Sequence, residues 1–506
     1  MNREDSLKKI ESEEKWDVII IGGGATGLGI ALDSTTRGLK TLLIEKGDFA
    51  NGTSSKSTKL IHGGVRYLKQ LQFKLVFEAI RERGILLKNA SHLSETIPFI
   101  IPVYSYWEMI YYSIGLFIYQ MFSLGTKIGI TKILSKKETL SNLTYINSQN
   151  LKGGIKYFDG QFNDSQLCID IAFTASQRNA TVINYFELID ILKTDNIVTG
   201  IKCIDKKTLK SYSIKCDNLI NATGVYADNI LKLDTPNKSN IILPSQGIHI
   251  VINDMNLNEN ALMLPLKFDN KVLFVIPWMG KQIIGTTDSK INKIEDDPEA
   301  LKEEIDFLLN NFNKICKYKI NKNDIQSVYT GLRPLVNINN TNNNTSFVSR
   351  EHTILINKSK MITIVGGKWT TYRKMAEEVT NIIFKMNKNY KREICKTRNL
   401  SLNTNDIKNK IISNLLKNDN SLSEKVHEKY AFRKVDVLYS IKYEMATSTI
   451  DFLARRNRIL FLDVKSSIES APMVAKIFAK YLNKDLNWIN NEIINFENYS
   501  KKYLPK

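Results

Sequence analysis

A chain of 506 residues, 43% hydrophobic and 9% aromatic, is long enough for roughly two to four cores, which excludes an intrinsically disordered protein. Its 71 Lys and Arg against 52 Asp and Glu leave a net charge of +19, yet no basic block is interleaved with aromatics, so nucleic acid is not an expected partner. The surplus suits an anionic membrane surface or an anionic substrate, and equally a lysine-rich composition with no partner behind it.

Met1 to Asp17 is charged throughout and lacks the apolar stretch of a signal peptide, so the expected location is the cytoplasm. Residues 17–21, DVIII, are apolar and β-branched and read as a buried parallel strand. They lead into Gly22-Gly-Gly24-Ala-Thr-Gly27 and a helix predicted over 25–37 that stops at Gly38. The next strand, 41–44, ends on Glu45, 18 positions after Gly27, which completes a βαβ unit. Glycines at 22, 24 and 27 let the backbone approach a pyrophosphate at the helix amino terminus, and Glu45 can accept hydrogen bonds from ribose hydroxyls.

A Ser/Thr-rich loop follows at 51–58, then LIHGGVRY at 60–67 and a helix predicted over 73–89. Residues 97–122 carry one charge, Glu108, but Pro98 and Pro102 break any helix in the first part. The apolar run at 109–122 has 14 residues, short of the roughly 20 that span a bilayer. Tyr104, Tyr106, Trp107, Tyr111, Tyr112 and Tyr119 are of the types that settle at a lipid–water interface, so this segment reads as an interfacial helix, with a buried helix as the alternative.

Strand patterns return over 180–224 and dominate 241–288, and the Asn-rich stretch 337–345 reads as an exposed loop. A strand at 361–365 feeds Gly366-Gly-Lys-Trp-Thr-Thr371 and a helix over 372–386; beyond about 390 the pattern is helical. Cysteines at 168, 203, 216, 316 and 395 have no paired spacing, so a reducing compartment is expected and no disulfide framework. The histidines at 92, 352 and 427 have no metal-ligand spacing, and no metal site is expected.

The dinucleotide fingerprint alone does not separate NAD from FAD. Two further turns, Asn221-Ala-Thr-Gly224 and Gly366-Gly367, each follow an apolar strand and return to the same nucleotide domain, as an extended FAD requires. TSSKSTKLIHGGVRYL, PSQGIHIVI, FVIPW, GTTD, YTGLRPLV, SREHTI, GGKWTTYRKMAE and IKYEMATSTIDFLARRNRILFLD, in this order, are similar to motifs of the FAD-dependent, membrane-associated glycerol-3-phosphate dehydrogenase family. The resemblance covers about residues 15 to 480.

It implies an α/β fold with three parts. A discontinuous Rossmann-like FAD-binding domain takes 15–95, 150–235 and 350–388. A mixed-sheet α+β substrate domain takes 96–149 and 236–349, and an all-α carboxy-terminal domain takes 390–506. The implied reaction is oxidation of sn-glycerol 3-phosphate to dihydroxyacetone phosphate, with electrons passed to membrane quinone at the inner face of the cell membrane. FAD contacts are expected from Gly22, Gly24, Gly27, Glu45, Ser54, Ser55, Ser57, Ala222, Gly224, Gly366, Gly367, Lys368 and Thr370.

A phosphorylated substrate calls for clustered cations, and Arg66, Arg333 and Arg350 lie in three separate motifs. Arg66, Tyr67 and Arg350 are assigned to the phosphate, while Arg333 stabilises the developing alkoxide. Lys368 reaches the flavin or the alkoxide. His62 and His249 are the two candidates for the base. Asp288 either caps a turn or touches substrate. Arg455, Arg456 and Arg458 read as a solvated basic face, or as a lid or homodimer surface. An oxidase using oxygen, and an FAD enzyme for another 2-hydroxy acid or amine, are the rival activities. The oxidases often carry an insertion in the substrate domain, and none is obvious here.

Overall fold

The computed structural model describes residues 1–65, 72–123, 128–254, 259–266, 272–337, 351–391 and 393–506, so Arg66, Tyr67 and Arg350 lie outside the described residues, as do 338–345 of the Asn-rich stretch. The apolar run becomes the strand Lys15–Ile21, buried along its whole second half. It pairs in parallel with Thr41–Ile44 on one side and Ser211–Asn221 on the other. Thr181–Ile183 and Ile362–Gly366 extend the parallel sheet at either end, and His352–Ile356 closes one edge antiparallel. The hairpin Phe186–Thr194 and Ile197–Asp205 hangs on the amino-terminal half of Ser211–Asn221.

Three helices cover one face of this sheet: Ala25–Thr36, Asp164–Gln177 and Tyr372–Met386. The first is buried over most of its length, Asp33 and Ser34 included, because it is sandwiched between sheet and neighbours. Gly29 allows the crossing, since a Cβ there would meet the Tyr372 ring at 2.8 Å.

Among the described residues the second sheet has ten strands. Ile242–Asn253 and Ile325–Val336 form its long antiparallel pair, and Ser94–Val103 pairs antiparallel with Gly153–Phe162. Leu60–Ile61 also pairs with Gly153–Phe162. Segments 60–61, 94–95 and 153–162, grouped with the nucleotide domain in the sequence reading, thus lie in the second sheet. Neighbouring segments suggested the other grouping, whereas pairing is decided by partners far away in the chain. The helix Lys302–Ile315 covers one face, and Tyr106–Phe122 lies against the other side of the Ser94–Val103 region.

The carboxy-terminal part is helical. Asn405–Asn418, Lys434–Tyr443, Val464–Leu482 and Leu486–Ser500 build it, with a π-helical turn Asp451–Arg456 and the short helix Ile459–Leu462 between. Its core includes Phe452, Phe461 and Phe478 and continues onto Tyr329 and Trp278 of the second sheet, so it docks on the sheet rather than standing apart.

Candidate active site

Four turns meet at the carboxyl ends of parallel strands, where ligands of open α/β sheets bind. Gly22 leaves Lys15–Ile21 with φ +112°, and a Cβ there would stand 2.7 Å from the Ala222 carbonyl oxygen. A Cβ on Gly27 would lie 1.9 Å from the Gly22 oxygen, so the helix start sits directly on the turn. Gly24 is the N-cap of Ala25–Thr36 and supplies no side chain to its free N–H groups, which leaves an anion-binding helix end. The Glu45 carboxylate, at the end of the adjacent strand, accepts from the Gly23 and Gly47 N–H groups at 2.6 and 2.8 Å. Burial pushes its carboxyl above the usual range, against those two donors.

Gly224, in the turn that Ala222 opens, has φ +59° and open space where a Cβ would project. Gly366 and Gly367 both have φ +77°, a backbone path closed to most side chains, and Lys368 follows them, half-buried. These glycine turns, gathered at the carboxyl ends of the parallel strands, fit an extended dinucleotide.

The loop between Glu45 and Leu60 lies across the turns. Ser54 Oγ accepts from the Ala25 N–H at 2.9 Å, and its carbonyl accepts from Trp369 Nε1 at 2.8 Å. Ser55 and Ser57 have other partners: Ser55 Oγ turns to the Gly52 oxygen at 3.4 Å, and Ser57 Oγ donates to Asp164 at 2.7 Å. Thr370 Oγ1 donates to the His62 carbonyl at 3.3 Å, tying the second glycine turn to the segment that follows Leu60–Ile61.

A cavity of about 120 Å³ opens there. Phe99, Tyr157, Met263 and Phe274 make its apolar wall, and His62, Asp159, Thr286, Thr287, Asp288 and Arg333 its polar one. Arg333, on Ile325–Val336, donates to Thr286 Oγ1 at 3.0 Å and to the Thr287 and Gln246 carbonyls at 2.9 and 3.2 Å. Asp288 stands 3.6 Å from its guanidinium and accepts from Ser245 Oγ. Asp288 therefore sets the arginine as well as lining the cavity.

The two histidines part company. His62 is half-buried in the cavity wall. His249 is 2% exposed, stacked on Tyr329 at 4.8 Å, with Nε2 and Thr58 Oγ1 2.9 Å apart. Burial first, then Lys59 and Arg333, hold its pKa well below the ordinary histidine value.

Asp159 was not singled out by sequence reasoning. It lies in a strand whose alternation carries no catalytic signature, and only the fold brings it to the cavity. Its carboxylate accepts from Arg83 Nη1 at 2.5 Å and from Tyr119 Oη at 3.0 Å. Gly63, beside His62, donates to the same Tyr119 oxygen at 2.8 Å. Thr286 and Thr287 stand in the motif that drew attention only to Asp288. Among the described residues no group of His, Cys, Asp and Glu is arranged to hold a metal ion.

Arg455, Arg456 and Arg458 overturn the reading of a solvated basic face or a lid. They are 3%, 7% and 0% exposed and point inward, to Asp48, Asp451, Asp164 and the Ser55 carbonyl. Two of their acidic partners, Asp48 and Asp164, sit hundreds of positions away, so composition alone gave no hint.

The fold and site define an FAD-dependent oxidoreductase. The family described as FAD dependent oxidoreductase matches residues 17–373, and the C-terminal domain of alpha-glycerophosphate oxidase matches 358–488. The mitochondrial glycerol-3-phosphate dehydrogenase of Schizosaccharomyces pombe is 34% identical over 96% of this chain and 87% of its own length. The human mitochondrial enzyme is 34% identical over 96% of this chain and 73% of its own. A crystal structure of glycerol-3-phosphate dehydrogenase from Bacillus halodurans complexed with FAD superposes with a TM-score of 0.79 at 25% identity, covering 99% of this chain and 98% of that one. The chain belongs to the FAD-dependent glycerol-3-phosphate dehydrogenase family.

Proposed function

We propose that the protein oxidises sn-glycerol 3-phosphate to dihydroxyacetone phosphate and passes the two electrons to membrane quinone. The observation that carries the substrate reading is the cavity next to the glycine turns, with His62, Asp159 and Arg333 on one polar wall. Bound FAD supplies the hydride acceptor for the C2 hydrogen. Gly22, Gly24, Gly27, Glu45, Ala222, Gly224, Gly366 and Gly367 would hold it, with Ser54, Thr370 and Lys368 beside them; Ser55 and Ser57 support the loop from behind.

His62 takes the hydroxyl proton. It lies in the cavity wall, whereas the depressed pKa of buried His249 makes that ring a weak base. Arg333 stabilises the oxygen as it gains negative charge, its guanidinium held in place by Thr286, Thr287 and Gln246. Arg66, Tyr67 and Arg350 grip the phosphate in this proposal; Val65, which precedes Arg66, lines the cavity.

Membrane contact is supported by the helix Tyr106–Phe122. Trp107 is 80% exposed and Met121 65%, and Ile110, Ile114 and Phe117 share the exposed surface. Phe73 and Phe77 of Phe73–Asn89 are exposed as well, and Lys132, Lys136 and Lys137 follow nearby in the chain. No described helix is long and apolar enough to cross a membrane. A surface of this kind seats in the interfacial layer of an anionic leaflet. Tyr119, on the inner side of the same helix, bonds Gly63 and Asp159, so the cavity wall backs directly onto the face that meets lipid.

The test is an anaerobic titration of the flavin absorbance with glycerol 3-phosphate, followed by a quinone analogue or air. Stoichiometric bleaching with fast reoxidation by quinone alone supports the proposal. Fast reoxidation by air would make the protein an oxidase, and a flavin that never bleaches would remove the substrate assignment.

A further inference from the structure

Residues 48–58 have only one short 3-10 turn, Thr53–Ser55, yet they lie across the cofactor cradle. From the front the loop is tied by three bonds: Ala25 N–H to Ser54 Oγ, Trp369 Nε1 to the Ser54 carbonyl, and Ala50 N–H to the Gly23 carbonyl at 3.0 Å. From behind it is held by the helical domain. Arg455 donates to Asp48 at 2.6 Å and to Asn51 Oδ1 at 3.1 Å. Arg456 reaches both Asp48 oxygens, at 2.7 and 3.0 Å. Arg458 Nη2 donates to the Ser55 carbonyl at 2.7 Å and lies 3.3 Å from Asp164.

Asp164 then collects the Ser57 N–H and hydroxyl and the Lys59 ammonium, which itself reaches the Ser55 carbonyl at 2.8 Å. Burial would raise the Asp164 carboxyl, but Lys59 and Arg458 together hold it below its usual value, so it remains the charged acceptor of the cluster.

Burying three guanidinium groups in four residues of chain carries a desolvation penalty that apolar side chains would avoid. Apolar packing, however, cannot aim at individual oxygens. Here the donors converge on one loop, and that loop carries Ser54 against the first turn of the dinucleotide helix. A loop ordered before the cofactor arrives loses less freedom on binding.

We propose that the helical carboxy-terminal domain sets the affinity for FAD, with Arg455, Arg456 and Arg458 as positioning residues that act through the 48–58 loop. The inference does not depend on which alcohol is oxidised.

The experiment removes FAD from the full chain and titrates it back, following flavin fluorescence, for wild type, Arg458→Gln, Arg458→Lys, Asn51→Ala and the surface control Arg433→Gln. Arg458→Gln should bind FAD at least about tenfold more weakly, from loss of a charged hydrogen bond, and Asn51→Ala about threefold. Arg458→Lys should recover most of the affinity, and Arg433→Gln should match wild type. Once saturated with FAD, Arg458→Gln should show wild-type half-saturation for its substrate, which a general loss of packing would not leave intact. FAD affinity within twofold of wild type in folded Arg458→Gln overturns the proposal. Should that variant not fold, the same result in Asn51→Ala and Ser57→Ala overturns it.

Discussion

Gly247 offers a way to move Arg333 without touching it. The glycine faces Gly331 across the long antiparallel pair, two positions before His249. A Cβ there would stand 2.3 and 2.6 Å from the two Nη atoms of Arg333. Normal contact needs about 3.5 Å, so Gly247→Ala displaces the guanidinium by about 1 Å. Its bonds to Thr287, Thr286 and Gln246 are 2.9, 3.0 and 3.2 Å long, and such a shift takes two of them out of range. Each bond to a charged group contributes about 1.5–3 kcal/mol, and water replaces part of it because the side chain is 24% exposed. A net loss of about 1.4–3 kcal/mol of that stabilisation corresponds to a roughly 10- to 150-fold slower flavin reduction. The fold should tolerate the change, since the strand backbone accepts alanine and the displaced atoms end a flexible chain. The assay is the rate of anaerobic flavin bleaching at saturating glycerol 3-phosphate, with bound flavin and thermal unfolding as controls. A wild-type bleaching rate in a folded, flavin-loaded Gly247→Ala would refute the role given to Arg333.

Gly27→Ala sets a Cβ 1.9 Å from a backbone oxygen that cannot yield, and the purified variant should be colourless, with flavin affinity down at least about 100-fold. A flavin-loaded Gly27→Ala would place the cofactor elsewhere. Trp107→Ser combined with Ile114→Asp removes apolar area from the exposed helix; flotation with anionic vesicles should fall several-fold while flavin bleaching in solution is unchanged. Equal flotation would end the case for that surface. The hydrogen bond from His352, opposed by burial and helped by Lys374, holds Glu378 at about 2. Its contribution to stability is therefore present above the ordinary carboxylate value near 4.5 and is lost as pH falls towards 2. Screening at this half-exposed pair limits it to at most about 1 kcal/mol. Wild type and Glu378→Gln should differ slightly in thermal unfolding at pH 6 and converge near pH 2.5; a gap that widens on acidification would contradict the assignment.

What could be read from the sequence follows from how far each interaction reaches along the chain. The βαβ unit from Lys15–Ile21 to Glu45 is local: its glycines are required by contacts such as that between Gly27 and the Gly22 oxygen, five positions apart, so spacing alone exposes them. The helix Tyr106–Phe122 was likewise visible, because Pro98 and Pro102 keep helix out of the preceding segment, but its aromatic residues did not sort by face, since Trp107 is exposed and Tyr119 buried. Arg455 and Asp48 are separated by 407 positions, and the arginines look like a surface until that remote carboxylate is folded against them. Asp159 was hidden for the same reason. Its partners Arg83 and Tyr119 come from two helices, and nothing in the alternating strand distinguishes a carboxylate aimed at a cavity from one aimed at water. The cofactor cradle was therefore legible where glycine must stand close to backbone. The groups that hold its covering loop, and the wall of the neighbouring cavity, became legible only once the second sheet and the helical domain were folded against it.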